Sequence, residues 1–299
     1  VAGHILWGRL VRCLLYIPTS EPGNYNGTSS FDIIEINGAD DPENPGLQIV
    51  FKISKSTEKN PNPGEVTIYN LSPEHRAALQ GKGRKVAIEA GYEDSGVTRL
   101  FLGDVRTCDH VRDGANWKTQ LKCGDGERAV QFARISESFA AETTVGDVVK
   151  ACARSMGLAI GNTDTAASGL STVLYNGWTA HGPTSDALTR ILRSVGYSYS
   201  IQDGAIQILA PGQTLAASVP VISTDTGMVG SPEVGTANKP GGAVVVKVKC
   251  LLQPQLRPGA RFKLESERYN GFFRVKKVEH EGNIRGGEWY SSTEATSIA

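Results

Sequence analysis

The sequence predicts a mainly β protein with a small α+β middle region, in which two similar β-barrel domains flank a helix-containing insertion. Three observations lead there. Glycine is plentiful, 34 of 299 residues, and separates many short apolar runs, as in a turn-rich β protein. One strand pattern occurs twice. Phe101-Leu102-Gly103-Asp104-Val105 is followed by His110, Asp113-Gly114 and Trp117-Lys118-Thr119. Phe272-Phe273-Arg274-Val275 is followed by His280, Gly286-Gly287 and Trp289-Tyr290-Ser291. Third, the two capped amphipathic helix patterns fall in the middle. The predicted division is a first barrel over 1–130, a middle domain over 131–215 and a second barrel over 216–299. Three such chains would present six similar units, which points to assembly rather than chemistry.

The first region reads as strands and turns. Ile5 to Ile17 is apolar but carries Arg9 and Arg12, and Pro18 follows. It is too short and too charged for a membrane span and lacks the order of a signal peptide, so a strand is expected. No other segment could span a membrane. Phe31 to Ile36 ends at the turn dipeptide Asn37-Gly38. Leu47, Ile49, Phe51 and Ile53 share one face of a half-buried strand, with Gln48, Lys52 and Ser54 on the other. Pro61 and Pro63 interrupt pairing, because proline lacks a donor and fixes φ; Glu65 to Leu71 resumes it. Ser72 as N-cap and Pro73 at the first helical position start a short helix, stopped by Gly81 and Gly83. Lys85 to Ala90, Thr98 to Cys108 and Trp117 to Gly124 complete the set.

The middle holds a second repeat. Thr144-Val145-Gly146-Asp147 precedes a helix through Met156 that Gly157 ends. Thr184-Ser185-Asp186 precedes a helix through Val195 that Gly196 ends. Each is an amphipathic helix with a glycine at its exit, followed by a short strand. Tyr197 to Ile201, the turn Gln202-Asp203-Gly204 and Ala205 to Leu209 read as a hairpin. Beyond it, Gly227 to Gly242 reads as a long loop or extended arm. Ala243 to Leu252, Arg261 to Glu265, Gly271 to Val278 and Glu288 to Thr293 are strands of a small barrel or sandwich.

Composition excludes several classes. Net charge is zero, with both signs mixed along the chain, unlike a general nucleic-acid binder. Cys13, Cys108, Cys123, Cys152 and Cys250 are odd in number and dispersed, which argues against a disulfide framework or zinc cluster and for reduced, mostly buried thiols. The five histidines, His4, His75, His110, His181 and His280, show no metal-ligand spacing. There is no nucleophile elbow, phosphate loop or dinucleotide fingerprint. Asp104, Asp109 and Asp113 with His110 could form a metal cluster only if they converged, and alternate carboxylates on a strand-turn-strand stretch are expected to face solvent. Cys108 and His110 share a strand face; a buried thiol beside a structural imidazole is the expectation. The recurrence of His110 and His280 favours packing or hydrogen bonding. Trp7, Trp117, Trp178 and Trp289 are too dispersed for a stacking platform and suit core or interface packing. Lys52, Lys55, Lys59, Arg84, Lys85 and Arg99 make the first region mildly basic, either a solvated face or a charge-lined channel. No catalytic, cofactor-binding or metal-binding residue is assigned, and no cofactor is expected.

The stretch Phe51-Lys52-Ile53-Ser54-Lys55-Ser56, then Pro61-Asn62-Pro63-Gly64-Glu65-Val66-Thr67-Ile68-Tyr69-Asn70-Leu71-Ser72, resembles the opening domain of baseplate hub (tail hub) proteins of contractile-tailed bacteriophages. Cys250 to Gly259 and Asn270 to Gly282 carry the resemblance into the C-terminal half. It implies a homotrimer whose two barrels per chain form a pseudo-hexameric ring, joining the six-fold tail tube to the three-fold central spike. The implied partners are the tube protein, the spike, the tape measure and other baseplate proteins, with DNA only passing the channel and no stable membrane insertion. The implied place is the virion tail baseplate, assembled in the host bacterial cytoplasm. The family has no catalytic residues to carry over, and this chain is short for a fused hydrolase. The rival readings are a cell-wall hydrolase on a β-rich scaffold, a hub-like part of a related contractile injection or secretion system, and a monomeric β-rich binding module.

Overall fold

A computed structural model describes residues 8–19, 30–162, 167–210, 212–215, 219–236, 243–267 and 269–298. His4, Trp7 and residues 237–242 of the glycine-rich segment lie outside them. Strand predominates, 55% against 14% helix. The first region supplies β1 (Arg9–Pro18), β2 (Phe31–Ala39), β3 (Ile49–Ser56), β4 (Pro63–Tyr69), α1 (Pro73–Leu79), β5 (Lys85–Tyr92), β6 (Gly96–Asp113) and β7 (Asn116–Gly124). The middle supplies α2 (Glu127–Phe132), β8 (Arg134–Phe139), β9 (Thr143–Thr144), α3 (Val145–Met156), β10 (Ala159–Ile160), α4 (Ala167–Leu170), β11 (Val173–Leu174), β12 (Trp178–Pro183), α5 (Thr184–Ser194), β13 (Ser198–Gln202) and β14 (Ala205–Leu209). The last region supplies β15 (Val221–Ile222), β16 (Met228–Thr236), β17 (Val244–Leu251), β18 (Arg261–Glu265), β19 (Asn270–Asn283) and β20 (Trp289–Ser297).

Thirteen strands share one sheet, in the order β16-β17-β20-β19-β3-β4-β7-β6-β5-β1-β2, with β18 against β19 and β15 against β18. The two outer regions are thus continuous. β19 pairs antiparallel with β3, from Lys277 opposite Ser56 to Asn283 opposite Val50. In β3 the expected alternation appears: Ile49, Phe51 and Ile53 are buried while Lys52 is exposed. The 18 residues of β6 serve two partners, Gly96–Asp104 against β5 and Asp104–Asp113 against β7. Ala39 N donates to Pro45 O (3.1 Å) and Leu47 N to Asn37 O (2.9 Å), so the end of β2 returns to the start of β3. The first-region strands curl around one buried cluster that includes Phe51, Ile88 and Phe101. A separate cluster in the last region includes Val246, Phe262 and Phe273.

The middle region has its own cluster, built largely from α3 and α5. Thr144 and Asp147 form a reciprocal capping box at the start of α3, and Gly157 ends it with φ 61°. The repeat is looser at α5, where Pro183 occupies the cap position without a side-chain hydrogen bond. The β13–β14 hairpin turns at Asp203 (φ 55°) and Gly204 (φ 77°), as the dipeptide requires.

One expectation needs correction. Gly227 to Gly242 is not a loop in its described part, because Met228–Thr236 form β16, antiparallel to β17. Gly230 and Pro232 fall between Val229 and Glu233, where the register shifts, so neither has to fill a paired position.

Candidate assembly interface

The strand pairing resolves the sequence repeat into a structural one. β3-β4-β7-β6-β5 matches β16-β17-β20-β19-β18 in both order and chain direction. His110 lies opposite Thr119, two residues after Trp117; His280 lies opposite Ser291, two residues after Trp289. Each hairpin carries a bulge four residues before its histidine, at Arg106 and at Lys276. Matching pairs, matching bulges and matching neighbours are consequences of one scaffold used twice.

The histidines hold this scaffold. His110 Nδ1 is 3.1 Å from Thr119 Oγ1 and its Nε2 is 3.1 Å from Arg76 O. A carbonyl only accepts, so Nε2 carries the proton and Thr119 donates to Nδ1. Cys108 Sγ lies 3.6 Å from that same Nε2. A protonated Nε2 is no base for the thiol, and burial pushes the Cys108 pKa up to about 11. His280 repeats the arrangement, with Nδ1 2.8 Å from Ser291 Oγ and a hydrogen bond to the Leu256 backbone. Complete burial, then the nearby Lys55 charge, lowers its pKa to about 3. Both imidazoles tie a hairpin to the segment packed over it.

The tryptophans, by contrast, have diverged. Trp289 is fully buried in the first-region cluster, edge-on to Phe51 with centroids 5.6 Å apart. Trp117 is half-exposed under the Arg76 guanidinium, 4.0 Å from its ring centroid. Trp178 packs beside Phe139 in the middle region.

The solvent face of the shared sheet carries two charge rows. One crosses Glu281, Lys52, Glu65 and Lys122 on β19, β3, β4 and β7. The other crosses Glu233, Lys247, Glu294 and Lys277 on β16, β17, β20 and β19. Opposite charges on neighbouring strands favour this register. At matching positions of the two units the signs invert: Lys52 against Glu233, Glu65 against Lys247, Lys122 against Glu294. Lys52 bridges the central joint, paired with Glu281 and 3.2 Å from Glu279. Those hydrogen bonds raise the Lys52 pKa and lower that of Glu281. A hollow of about 460 Å³ opens on this face between β16 and β19. Of the other basic residues singled out in the sequence, Lys55 is buried and Arg99 pairs with Glu89.

The strand path ends at β16 and at β2, whose outer side meets, among the described residues, only the Gly38–Gly46 bridge, and two open stretches stand at matching places of the two units. One is Thr107–Asp113 of β6, beyond the stretch that β5 covers; the other is β16. Val111, Val229 and Val234 lie exposed on them.

Sequence reasoning did not find the joint between the sheet and the middle region. Lys55, 2% exposed, holds Asp203 of the hairpin turn at 2.6 Å. Asp125, wholly buried, accepts from Asp203 N and from Gly204 N (2.5 and 3.0 Å). Burial outweighs the nearby Lys55 charge and raises the Asp125 pKa to about 7. Asn62 Nδ2 donates to Ile201 O (2.8 Å) and Gln202 Nε2 to Ser56 O (2.7 Å). Only the Asp203-Gly204 turn was legible beforehand. The three carboxylates do not converge: Asp104 is buried under Arg128 N, Asp109 lies on the solvent face and Asp113 at a hairpin tip. Among the described residues no three His, Cys, Asp or Glu side chains form a metal site, and no helix is long and apolar enough to cross a membrane.

The family model of baseplate hub gp41 matches residues 33–295. No curated protein matches the chain in sequence. Among solved structures, the chain is similar to a 43 kDa tail protein of prophage MuSo2 from Shewanella oneidensis. Identity is 11%, with 96% of this chain and 97% of that one covered, at a TM-score of 0.62. It is similar to a tail protein from Neisseria meningitidis MC58, at 11% identity, 96% coverage of each chain and a TM-score of 0.60. It also resembles the E. coli c3393 protein, a component of the type VI secretion system, at 10% identity, covering 85% and 74%, with a TM-score of 0.56. At such identities the likeness shows a shared fold.

Proposed function

Because the chain belongs to the baseplate hub gp41 family of phage tail components, we propose that it is a non-enzymatic hub that closes as a homotrimer. Two units per chain then make a ring of six, meeting a six-fold tail tube on one side and a three-fold central spike on the other. One observation carries this reading: the chain already contains one unit-to-unit joint, β19 on β3, and among its open edges, which also include the outer side of β2, are the two stretches that would repeat it, Thr107–Asp113 and β16. β16 of the next copy laid on Thr107–Asp113 reproduces the joint between chains. Such head-to-tail contacts give rings when the rotation closes. Open strand edges otherwise invite uncontrolled pairing. At the interchain joint Glu233 would stand near Asp109 and Val111, without the Lys52 fork, so backbone pairing carries that contact.

The rows of alternating sign would line the ring, giving DNA a wet and, on average, neutral wall to cross. The division at 1–130, 131–215 and 216–299 belongs to the same proposal and is supported by the separate buried cluster of the middle region, while the first-region cluster also takes in Leu252, Ile284 and Trp289. So do tape-measure contact and assembly in the host cytoplasm. The likeness to c3393 favours one second reading, the same architecture in a secretion machine.

Light scattering after size exclusion tests the ring. A mass near three times 31.9 kDa is expected. Val111→Lys with Val229→Lys, one on each of those two stretches, should return a monomer with unchanged circular dichroism. A wild-type chain that stays monomeric and is absent from tail particles would refute the hub.

A further inference from the structure

The duplication exposes a second contact surface. In the first region the N-terminal half of β6 is covered by the middle region. Leu102 faces Gly204, where an added Cβ would meet Leu102 Cδ2 at 3.2 Å. Asp104 accepts from Arg128 N at 3.0 Å, and Arg106 is ion-paired with Glu127 of α2. Counted back from the paired histidines, Phe272, Arg274 and Lys276 of β19 occupy the matching positions.

On β19 this face is more open: Phe272 and Lys276 are exposed and Arg274 is partly buried. Phe272 is 49% exposed, and Tyr269 is exposed at the start of the strand. Arg261, opposite Arg274, sits 6.0 Å from the Phe272 ring. Neither Arg261, Arg274 nor Lys276 forms an ion pair among the described residues, whereas Lys263 is satisfied by Glu265. Arg274 Nε is buried and has no hydrogen-bond partner among the described residues. Partial burial also lowers the Arg274 pKa. A cation drawn partly out of water without a counter-charge is costly, and buried donors ordinarily find acceptors.

We propose that this face of β18 and β19 docks a carboxylate-bearing segment of another protein, with an apolar residue set on Phe272. The neighbouring cations select a carboxylate, as Arg106 does with Glu127. A second copy of the middle region fits poorly. Its Arg128 lies over Asp104, whose counterpart is Arg274, so like charges would meet.

The test rests on the baseplate reading only for the particle used. Replace Phe272 by p-benzoylphenylalanine, irradiate assembled tails, and sequence the cross-linked peptide. An adduct with a different protein is expected, through a peptide rich in Asp or Glu. Arg274→Glu with Lys276→Glu should cut its yield by roughly tenfold or more while leaving the light-scattering mass unchanged. Charge reversal of the cross-linked carboxylates in the partner should restore it. No adduct, an adduct to this same chain, or a yield indifferent to Arg274→Glu with Lys276→Glu would overturn the inference. A chain absent from the tails would instead remove the hub reading.

Discussion

Replacing Lys55 by methionine should weaken the protein more at high pH than at low pH. The ammonium is 2% exposed, bonds Asp203 at 2.6 Å and faces the buried Asp125 carboxylate. Methionine keeps the volume and removes the charge. Taking one partner from a buried pair typically costs about 3–5 kcal/mol. Asp125 rises from 3.8 to about 7 on folding, chiefly by burial. That corresponds to about 4 kcal/mol against its ionised form. A carboxylate raised in this way favours the fold most below its unfolded pKa, and that contribution drains away as pH climbs toward 7. Without Lys55 the folded-state pKa moves higher still, so the loss continues above pH 7. Urea titrations followed by tryptophan fluorescence at pH 5 and pH 8 measure the difference. The penalty should be smaller at pH 5, where Asp125 is protonated and the lost Asp203 pair remains the main cost, and larger at pH 8, where the Asp125 charge adds to it. Equal penalties at the two values would refute the account of this joint.

Three further outcomes follow from the geometry. Trp289→Ala should cost about 3–5 kcal/mol, read as a lower urea midpoint, since the ring is buried against Phe51. Gly282→Ala places a Cβ 2.3 Å from Phe51 Cζ and 2.9 Å from Trp289 Cε3, and thermal melting should report about 1–3 kcal/mol of overpacking. Cys108, with its thiol pushed up to about 11, should alkylate at pH 8 far more slowly in the folded chain than in urea, by mass spectrometry; equal rates would reopen the nucleophile question.

Local signals carried much of the fold. The alternation Ile49, Phe51, Ile53 marked β3, the Thr144–Asp147 box and Gly157 bracketed α3, and Asp203-Gly204 marked a hairpin. Each is decided within a few residues. β16 was missed because Gly230 and Pro232 read as breakers, and only the pairing with β17 reveals that they sit in a bulge. The β3–β19 joint has no local trace, since its two strands are far apart in sequence. The duplication was visible in the spacing of histidine and tryptophan. The divergence of Trp117 from Trp289 was not, because burial depends on what crosses each hairpin. The Lys55–Asp125–Asp203 network joins three segments, and composition gives no hint of such a meeting.

The β3–β19 joint also bears on synthesis. Val50 to Ser56 leave the ribosome more than 220 residues before Lys277 to Asn283. At roughly 5–20 residues per second, β3 waits about 10–45 s for its neighbour on that side. During this time β3 offers free backbone groups to any nascent chain nearby. Lys52 and Lys55 break its apolar run and act as gatekeepers against premature pairing. A residue that later bridges the joint thus first keeps the edge soluble, and slower translation would lengthen that exposure.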